Sequence, residues 1–218
     1  MNAVDSNSSF SSLAQAAQRL EVAVPEDSME LLDKYCHTLW KWNERLNLTR
    51  HTDYEKFVGH DLADTLALSE LIDVGEHVLD VGTGGGVPGI PLSILRPDLQ
   101  VELCDSVAKK ARAVKSIVQE VDLDIPIHHQ RAEAILEQRP FDTVVVRAVA
   151  KLAKLLTWFE PCWNNIGQLL VIKGPNWVNE RAEARGKGKV QNLNIRRVAE
   201  YKCTGMDAPS VVLRLWPK

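Results

Sequence analysis

Residues Leu79–Pro91 read LDVGTGGGVPGIP, five glycines and two prolines in thirteen positions. Neither a strand nor a helix interior favours that composition, because glycine is costly to order and proline removes a backbone donor. Just ahead, His77–Val81 (HVLDV) reads as a short buried strand. Just behind, a helix is predicted over Pro88–Leu95 and closed by Arg96-Pro97. Pro88 and Pro91 fall in its first turn, where a missing N–H costs little and a fixed φ helps the helix start. The stretch is therefore a strand, a tight loop whose backbone a ligand can approach closely, and an abrupt helix start.

Outward from this point the alternation continues. Strands are predicted at Val101–Cys104, Ile125–His129, Phe141–Val146 and Gln168–Ile172. Helices are predicted between them at Ser106–Val121, from Ala132, and over Lys151–Trp163. Strands and helices joined by short connections make an α/β fold with a mostly parallel, doubly wound sheet. The end differs: Asn194–Tyr201 and Ser210–Leu215 are two strands with only CTGMDAP between them, a terminal antiparallel pair. Between Ile172 and that pair lie a polar helix and a Gly/Lys loop, within 176–192. Before residue 75 the pattern is all helical: Ser12–Leu20, Pro25–Leu46 with Asp27 or Ser28 as its cap, and Tyr54 to about Leu71. The expected organisation is an N-terminal helical extension, 1–74, packed on a ligand-binding domain, 75–218, as one structural unit.

Composition narrows the function. The chain has 218 residues, 45% of them hydrophobic, and a net charge of −3, which fits a globular protein and excludes a disordered one. No apolar run is long enough to span a membrane. The start, MNAVDSNSSFSS, lacks the basic and apolar regions of a signal peptide. Cys36, Cys104, Cys162 and Cys203 form no CxxC and no His/Cys cluster, so reduced thiols in a cytoplasmic protein without a metal site are expected. Charge is uneven. Residues 1–30 hold five acids against Arg19, whereas Lys173–Lys202 holds eight bases against three acids. Lys173, Arg185, Lys187 and Lys189 in that stretch are candidate contacts to a polyanion, against the plainer reading of a solvated surface.

The glycine loop sits beyond the carboxyl end of the first strand, where doubly wound sheets bind ligands. The phosphate-loop pattern fails, because Ile90 and Pro91 stand where Lys and Ser/Thr are required. The dinucleotide pattern fits only two residues late, at Gly84, Gly86 and Gly89. The remaining frame, Asp80-x-Gly82-x-Gly84-x-Gly86, is an acid followed by alternating glycines. It resembles the first motif of Rossmann-like methyltransferases that use S-adenosylmethionine (SAM). Asp105 follows the second strand, where a carboxylate can accept both hydroxyls of a ribose or cap the next helix. Arg131, Ala132 and Glu133 follow the third strand, at an adenine edge or at a plain helix start. Arg147 ends the fourth. Lys109, Lys110, Arg112 and Lys115 put a basic face on one helix, with RNA contact and ordinary solvation both open. His60 and Asp61 are expected to be structural.

In order, WNERLNLTR, HDLADTL, LDVGTGGGVPGIPL, LCDSVAKK, RAE, FDTVVVRAVA and VIKG resemble the bacterial small-subunit ribosomal RNA guanine-N7 methyltransferases, once called glucose-inhibited division protein B. The resemblance covers nearly the whole chain. It implies the class I SAM-dependent methyltransferase fold, SAM as cofactor, and methylation of one guanine in 16S rRNA or a small-subunit assembly intermediate. It also implies a cytoplasmic, monomeric enzyme away from membranes. Carried over by position, Asp80, Gly82, Gly84, Val87, Asp105, Ala132, Glu133 and Arg147 would contact the cofactor. Arg147 would also position the target base, with Lys109, Arg131, Lys173, Arg185, Lys187 and Lys189 on RNA. Val87 stands where the family often has Phe or Leu, and Thr65 where it often has Ser. Guanine N7 carries a lone pair and no proton, so no catalytic base is named. Arg147→Ala is expected to fold normally and lose methyl transfer. Rival readings are a methyltransferase of another RNA, a protein or a small molecule, a non-catalytic RNA-binding module, and an NAD-dependent oxidoreductase. The last lacks room for a substrate domain after Gly174.

Overall fold

The structure, a computed structural model, describes residues 11–218. The polar stretch of residues 1–10, part of the start read above as lacking a signal peptide, lies outside the described residues. Seven strands form one sheet: β1 His77–Val81, β2 Gln100–Cys104, β3 Ile127–His128, β4 Phe141–Arg147, β5 Ile166–Lys173, β6 Leu193–Tyr201 and β7 Ser210–Pro217. Their order across the sheet is β3-β2-β1-β4-β5-β7-β6. From β3 to β5 every pairing is parallel; β5 with β7 and β7 with β6 are antiparallel. The chain leaves β1 towards β2 on one side and returns with β4 on the other, so the strand order reverses at β1. The glycine loop follows β1 and lies at that reversal.

The helices divide between the two faces, and strand periodicity decides which apolar residue meets which layer. Val78, Val145, Leu170, Ile172 and Val212 share one core with α1 (Leu13–Arg19), α2 (Glu26–Leu46), α4 (Ala63–Ser69), α5 (Gly89–Leu95) and α6 (Ala108–Val121). Leu79, Val81, Val144, Val146, Leu169, Val171 and Leu213 share the other with α7 (Ala132–Leu136), α8 (Leu152–Phe159) and α9 (Trp177–Gly186). The N-terminal helices thus bury their apolar stripes, including Leu32, Tyr35 and Leu39, in the same core as Val78 of β1. Among the described residues no helix is long and apolar enough to cross a membrane, and all four cysteines are free and buried.

Three local expectations change. Neither Asp27 nor Ser28 caps α2; Pro25 takes the cap position, and the Ser28 hydroxyl reaches across to donate to the Ile94 carbonyl at 3.3 Å. Val107, rather than Asp105, takes the cap position before α6. The helix expected from Tyr54 is interrupted: α3 (Tyr54–Lys56) runs into a π-helical turn, Phe57–Leu62, before α4. Such turns add a residue to the helical spiral and are frequent at functional sites. Here the turn lies against the β6–β7 connection, where the Thr204 N–H donates to the Gly59 carbonyl at 3.1 Å. A Cβ on Gly59 would lie 2.4 Å from Thr204 Oγ1.

Candidate functional site

The loop after β1 is held from beneath by Asp80. One oxygen of its carboxylate, Oδ2, accepts from the Thr83 hydroxyl at 2.6 Å and from the Gly89 N–H at 3.0 Å. The other, Oδ1, is buried without a hydrogen-bond partner. Burial pushes the Asp80 carboxyl up to about 6, against the pull of those two donors. The loop is also tied sideways: Gly82 and Thr83 donate their N–H groups to the Cys104 carbonyl at 2.9 and 3.1 Å. Tyr35 of α2 donates its hydroxyl to the Gly85 carbonyl at 3.0 Å. Gly82 adopts φ +70, and a Cβ there would sit 2.6 Å from Val149 Cγ2. Position 82 therefore needs glycine twice over, for its left-handed backbone and for its closeness to the chain after β4.

Beside this loop is a cavity of about 80 Å³. Its wall includes Gly82, Asp105, Arg131, Ala132, Glu133 and Trp158, drawn from the ends of β1 and β2, the start of α7 and one face of α8. Asp105 is 5% exposed. Its Oδ2 accepts from the Gly84 N–H at 3.1 Å and its Oδ1 from the Val107 N–H at 2.8 Å. A carboxylate has about four lone-pair positions, so roughly two remain for donors in the cavity. The bonds to the loop and to the turn before α6 fix its orientation. Cys104 also lines this cavity; burial pushes its thiol up to about 12, so it stays protonated and is no nucleophile at neutral pH.

A second cavity, about 440 Å³, opens on the other side of the chain segment that follows β4. His60, Asp64, Arg147, Lys173, Cys203 and Met206 are among its lining residues. Arg147 has the strand parity of Val145, so it points towards the N-terminal helices and away from the face that carries Val144 and Val146. Its Nη1 donates to Asp61 Oδ1 at 2.6 Å and to Asp64 Oδ2 at 2.9 Å. Asp61 is fully buried. Tyr201 of β6 donates its hydroxyl to Asp64 Oδ1 at 2.6 Å. Burial opposes the guanidinium charge, but Asp61 and Asp64 outweigh it and hold Arg147 above its ordinary pKa. His51 Nδ1 lies 2.9 Å from Asp61 Oδ1. The His51 and His60 rings stack with centroids 4.8 Å apart. Burial and then the neighbouring His51 lower the His60 pKa, which keeps its imidazole neutral at pH 7. Directly after Arg147, Ala148 has φ +54. A non-glycine residue in that region costs on the order of 1 kcal/mol, and here the bend sends Arg147 to one cavity and Val149 to the other.

The pattern of an rRNA small subunit methyltransferase G family model matches residues 28–205. The chain belongs to that family. It is 49% identical over 170 residues to the ribosomal RNA small subunit methyltransferase G of Rhodopirellula baltica, covering 78% of this chain and 74% of that protein. It is 33% identical to the protein of the same name from Chromobacterium violaceum, across 93% of this chain and 95% of that one. Among solved structures, an O-methyltransferase from Bacillus cereus in complex with SAH is similar at TM-score 0.59 and 16% identity, with 94% and 97% of the two chains covered. A ribosomal protein L11 methylase from Lactobacillus delbrueckii subsp. bulgaricus gives TM-score 0.55 at 16% identity, over 76% of this chain and 80% of that one. These structures share the fold, that of the class I methyltransferases.

Against this methyltransferase G fold, the expected site residues divide. Gly82, Asp105, Arg131, Ala132 and Glu133 come together in the smaller cavity. Gly84 stands just behind them, bonded to Asp105. Asp80 and Val87 do not line it: both are buried, Asp80 as the anchor of the loop and Val87 in the core with the N-terminal helices. Arg147 lies in the larger cavity instead, because its strand parity turns it to the opposite face. Arg147 also has a structural part that the sequence reading did not give it, since its guanidinium is the counter-charge to Asp61 and Asp64. Lys173 is no free cation at a strand end. It is 8% exposed, and its ammonium donates to the Ala150 carbonyl at 2.7 Å and pairs with Glu180 at 2.8 Å. Lys187 and Lys189 are each paired, with Glu183 at 2.6 Å and with Glu160 at 2.7 Å. Lys109 and Arg185 are exposed and line neither cavity. His60, expected to be structural, lines the larger cavity. Trp158 in the smaller cavity, and His51, Cys203 and Met206 in the larger, carried no signal in the sequence, while Ser106, Val149 and Asp64 lay within the quoted motifs without being singled out. They come from separate segments that only folding brings together.

Proposed function

We propose that this chain transfers a methyl group from SAM to N7 of one guanine in small-subunit ribosomal RNA, acting as a cytoplasmic monomer on the RNA or on an assembly intermediate. The observation that carries this reading is the pair of adjoining cavities, parted by the short segment after β4, in a chain of the rRNA small subunit methyltransferase G family. SAM supplies a methyl group on a positively charged sulfur. The residues present fit it: Asp105 is held with acceptor capacity to spare for a ribose diol, and the Gly82 backbone is open where a Cβ would fill the gap to Val149. Glu133 and the start of α7 offer acceptors and donors to an adenine edge.

The larger cavity receives the target base in this reading. Guanine N7 offers its lone pair without losing a proton, so the site needs orientation rather than a base. Arg147, with its partner carboxylates Asp61 and Asp64, forms a rigid polar wall. His60 adds a neutral ring stacked on His51. A neutral ring at His60 suits a purine face, and fixed carboxylates favour the positive charge that N7-methylguanine acquires. The test is to map N7-methylguanine in small-subunit rRNA treated with the purified protein and labelled SAM. One modified guanine, absent without the protein, is expected. Transfer to other bases only, or to protein only, overturns the reading.

A further inference from the structure

A third cavity, about 600 Å³, runs along α8 and α9 and adjoins the other two. It shares Val149 and Trp158 with the smaller cavity and Ala150 and Lys151 with the larger one. A groove that touches both is placed for the strand that delivers the base. Its remaining walls are Ala153, Lys154, Thr157, Glu183 and Lys187. Lys151, Lys154 and Lys187 are exposed. Lys187 pairs with the one acid of the groove, Glu183, at 2.6 Å, and Lys151 acts on the same carboxylate from beyond ion-pair distance; among the described residues neither Lys151 nor Lys154 forms an ion pair. Instead the Lys154 ammonium lies 5.0 Å above the Trp158 ring. That contact stretches the lysine along the groove wall and keeps its charge on the groove side. Three lysines against one glutamate leave the groove positive in a chain whose net charge is −3.

We propose that this groove carries the RNA strand beside the target nucleotide, with Lys151 and Lys154 on backbone phosphates and Trp158 offering an aromatic surface to a neighbouring base. The proposal rests on the function inferred above and names where its substrate runs. Lys151 suits the phosphate nearest the target, since it borders both the groove and the base cavity. Phosphate is the partner indicated by charge complementarity: unpaired ammonium groups attract it without reading sequence, while the adjoining cavity does the selecting. Aromatic faces interleaved with bases are the usual platform for unpaired strands.

The test compares K151Q/K154Q with a charge-matched control on a remote helix, K34Q/K41Q, in the full chain. Binding of deproteinised small-subunit rRNA is titrated across a range of salt, and SAM affinity is measured in parallel. The groove variant is expected to bind RNA about tenfold more weakly near 0.1 M salt and to flatten the log–log salt slope by roughly 1.4, about 0.7 for each lost phosphate contact on a single strand. Its SAM affinity should equal wild type. RNA affinity and slope matching those of the control variant overturn the assignment of the groove. Wild-type protein that binds the RNA with the expected salt slope yet methylates none of it would overturn the functional reading while leaving the groove in place. Wild-type protein that ignores RNA and binds a ribosomal protein instead would overturn both.

Discussion

Replacing Arg147 by alanine removes one guanidinium from two carboxylates. Asp61 is fully buried and Asp64 is 8% exposed. The Arg147 side chain itself is only 20% exposed. Removing one member of a buried charge cluster costs about 3–5 kcal/mol, because the partners lose their counter-charge and keep their desolvation cost. Asp64 retains the Tyr201 hydroxyl and His51 stays beside Asp61, which points to the lower half of that range. Arg147→Ala should therefore lower stability by about 3 kcal/mol, a large share of a typical total of about 5–15 kcal/mol. The double variant Arg147→Ala/Asp61→Asn should regain more than 1 kcal/mol of it, since an amide in place of the buried carboxylate needs no counter-charge. Arg147→Lys should fall between, as one ammonium cannot copy the planar fork. Urea denaturation followed by circular dichroism gives these values, and the m-value shows whether the unfolding stays two-state. An Arg147→Ala midpoint within error of wild type would refute the reasoning, as would a double variant less stable than the single one. Loss of methyl transfer by Arg147→Ala has meaning only below its own unfolding midpoint.

Burial raises the Asp80 carboxyl from 3.8 to about 6. A carboxyl raised in this way stabilises the fold while protonated and loses that contribution as pH rises through about 6. Two units at about 1.4 kcal/mol each is about 3 kcal/mol. Wild type should therefore gain about 3 kcal/mol on Asp80→Asn as pH falls from 8 to 4, measured as the difference between their urea curves; a flat difference would contradict it. Gly82→Ala forces a side chain onto a φ of +70 and against Val149, so SAM affinity by calorimetry should drop at least tenfold. Gly82→Ala/Val149→Ala should recover only part of that loss, and full recovery would mean the backbone conformation is irrelevant. On the β2–β3 side of the sheet, Glu102 accepts from Arg139 Nη1 at 2.7 Å and faces His77 and His128 ring nitrogens at 2.7 and 2.5 Å. Arg139 is partly exposed, which reduces the cost, so Glu102→Gln should lose about 2 kcal/mol with SAM affinity unchanged. A shift under about 0.5 kcal/mol would make that cluster ornamental.

The sequence by itself determined the alternation of strands and helices, the glycine loop at the end of β1, and the acids at the ends of the next strands. These are local signals: apolar periodicity, turn chemistry, and a motif whose residues lie within a few positions of one another. Strand parity was legible in principle, and it places Arg147 with Val145 rather than with Val146. What lies opposite Arg147 was not. Asp61 and Asp64 are more than eighty positions away, on a helix whose π turn leaves no mark in the apolar spacing. The basic run Lys173–Lys202 looked like a cationic face because charge was counted along the chain. In the fold, Glu180, Glu183 and Glu160 close on Lys173, Lys187 and Lys189, while Lys151 and Lys154, unremarkable in sequence, form no ion pair among the described residues and lie beside the cavities. Only the tertiary structure decides which charges are neutralised, because an ion pair depends on separation in space, and folding brings together carboxylates and cations that the sequence keeps far apart.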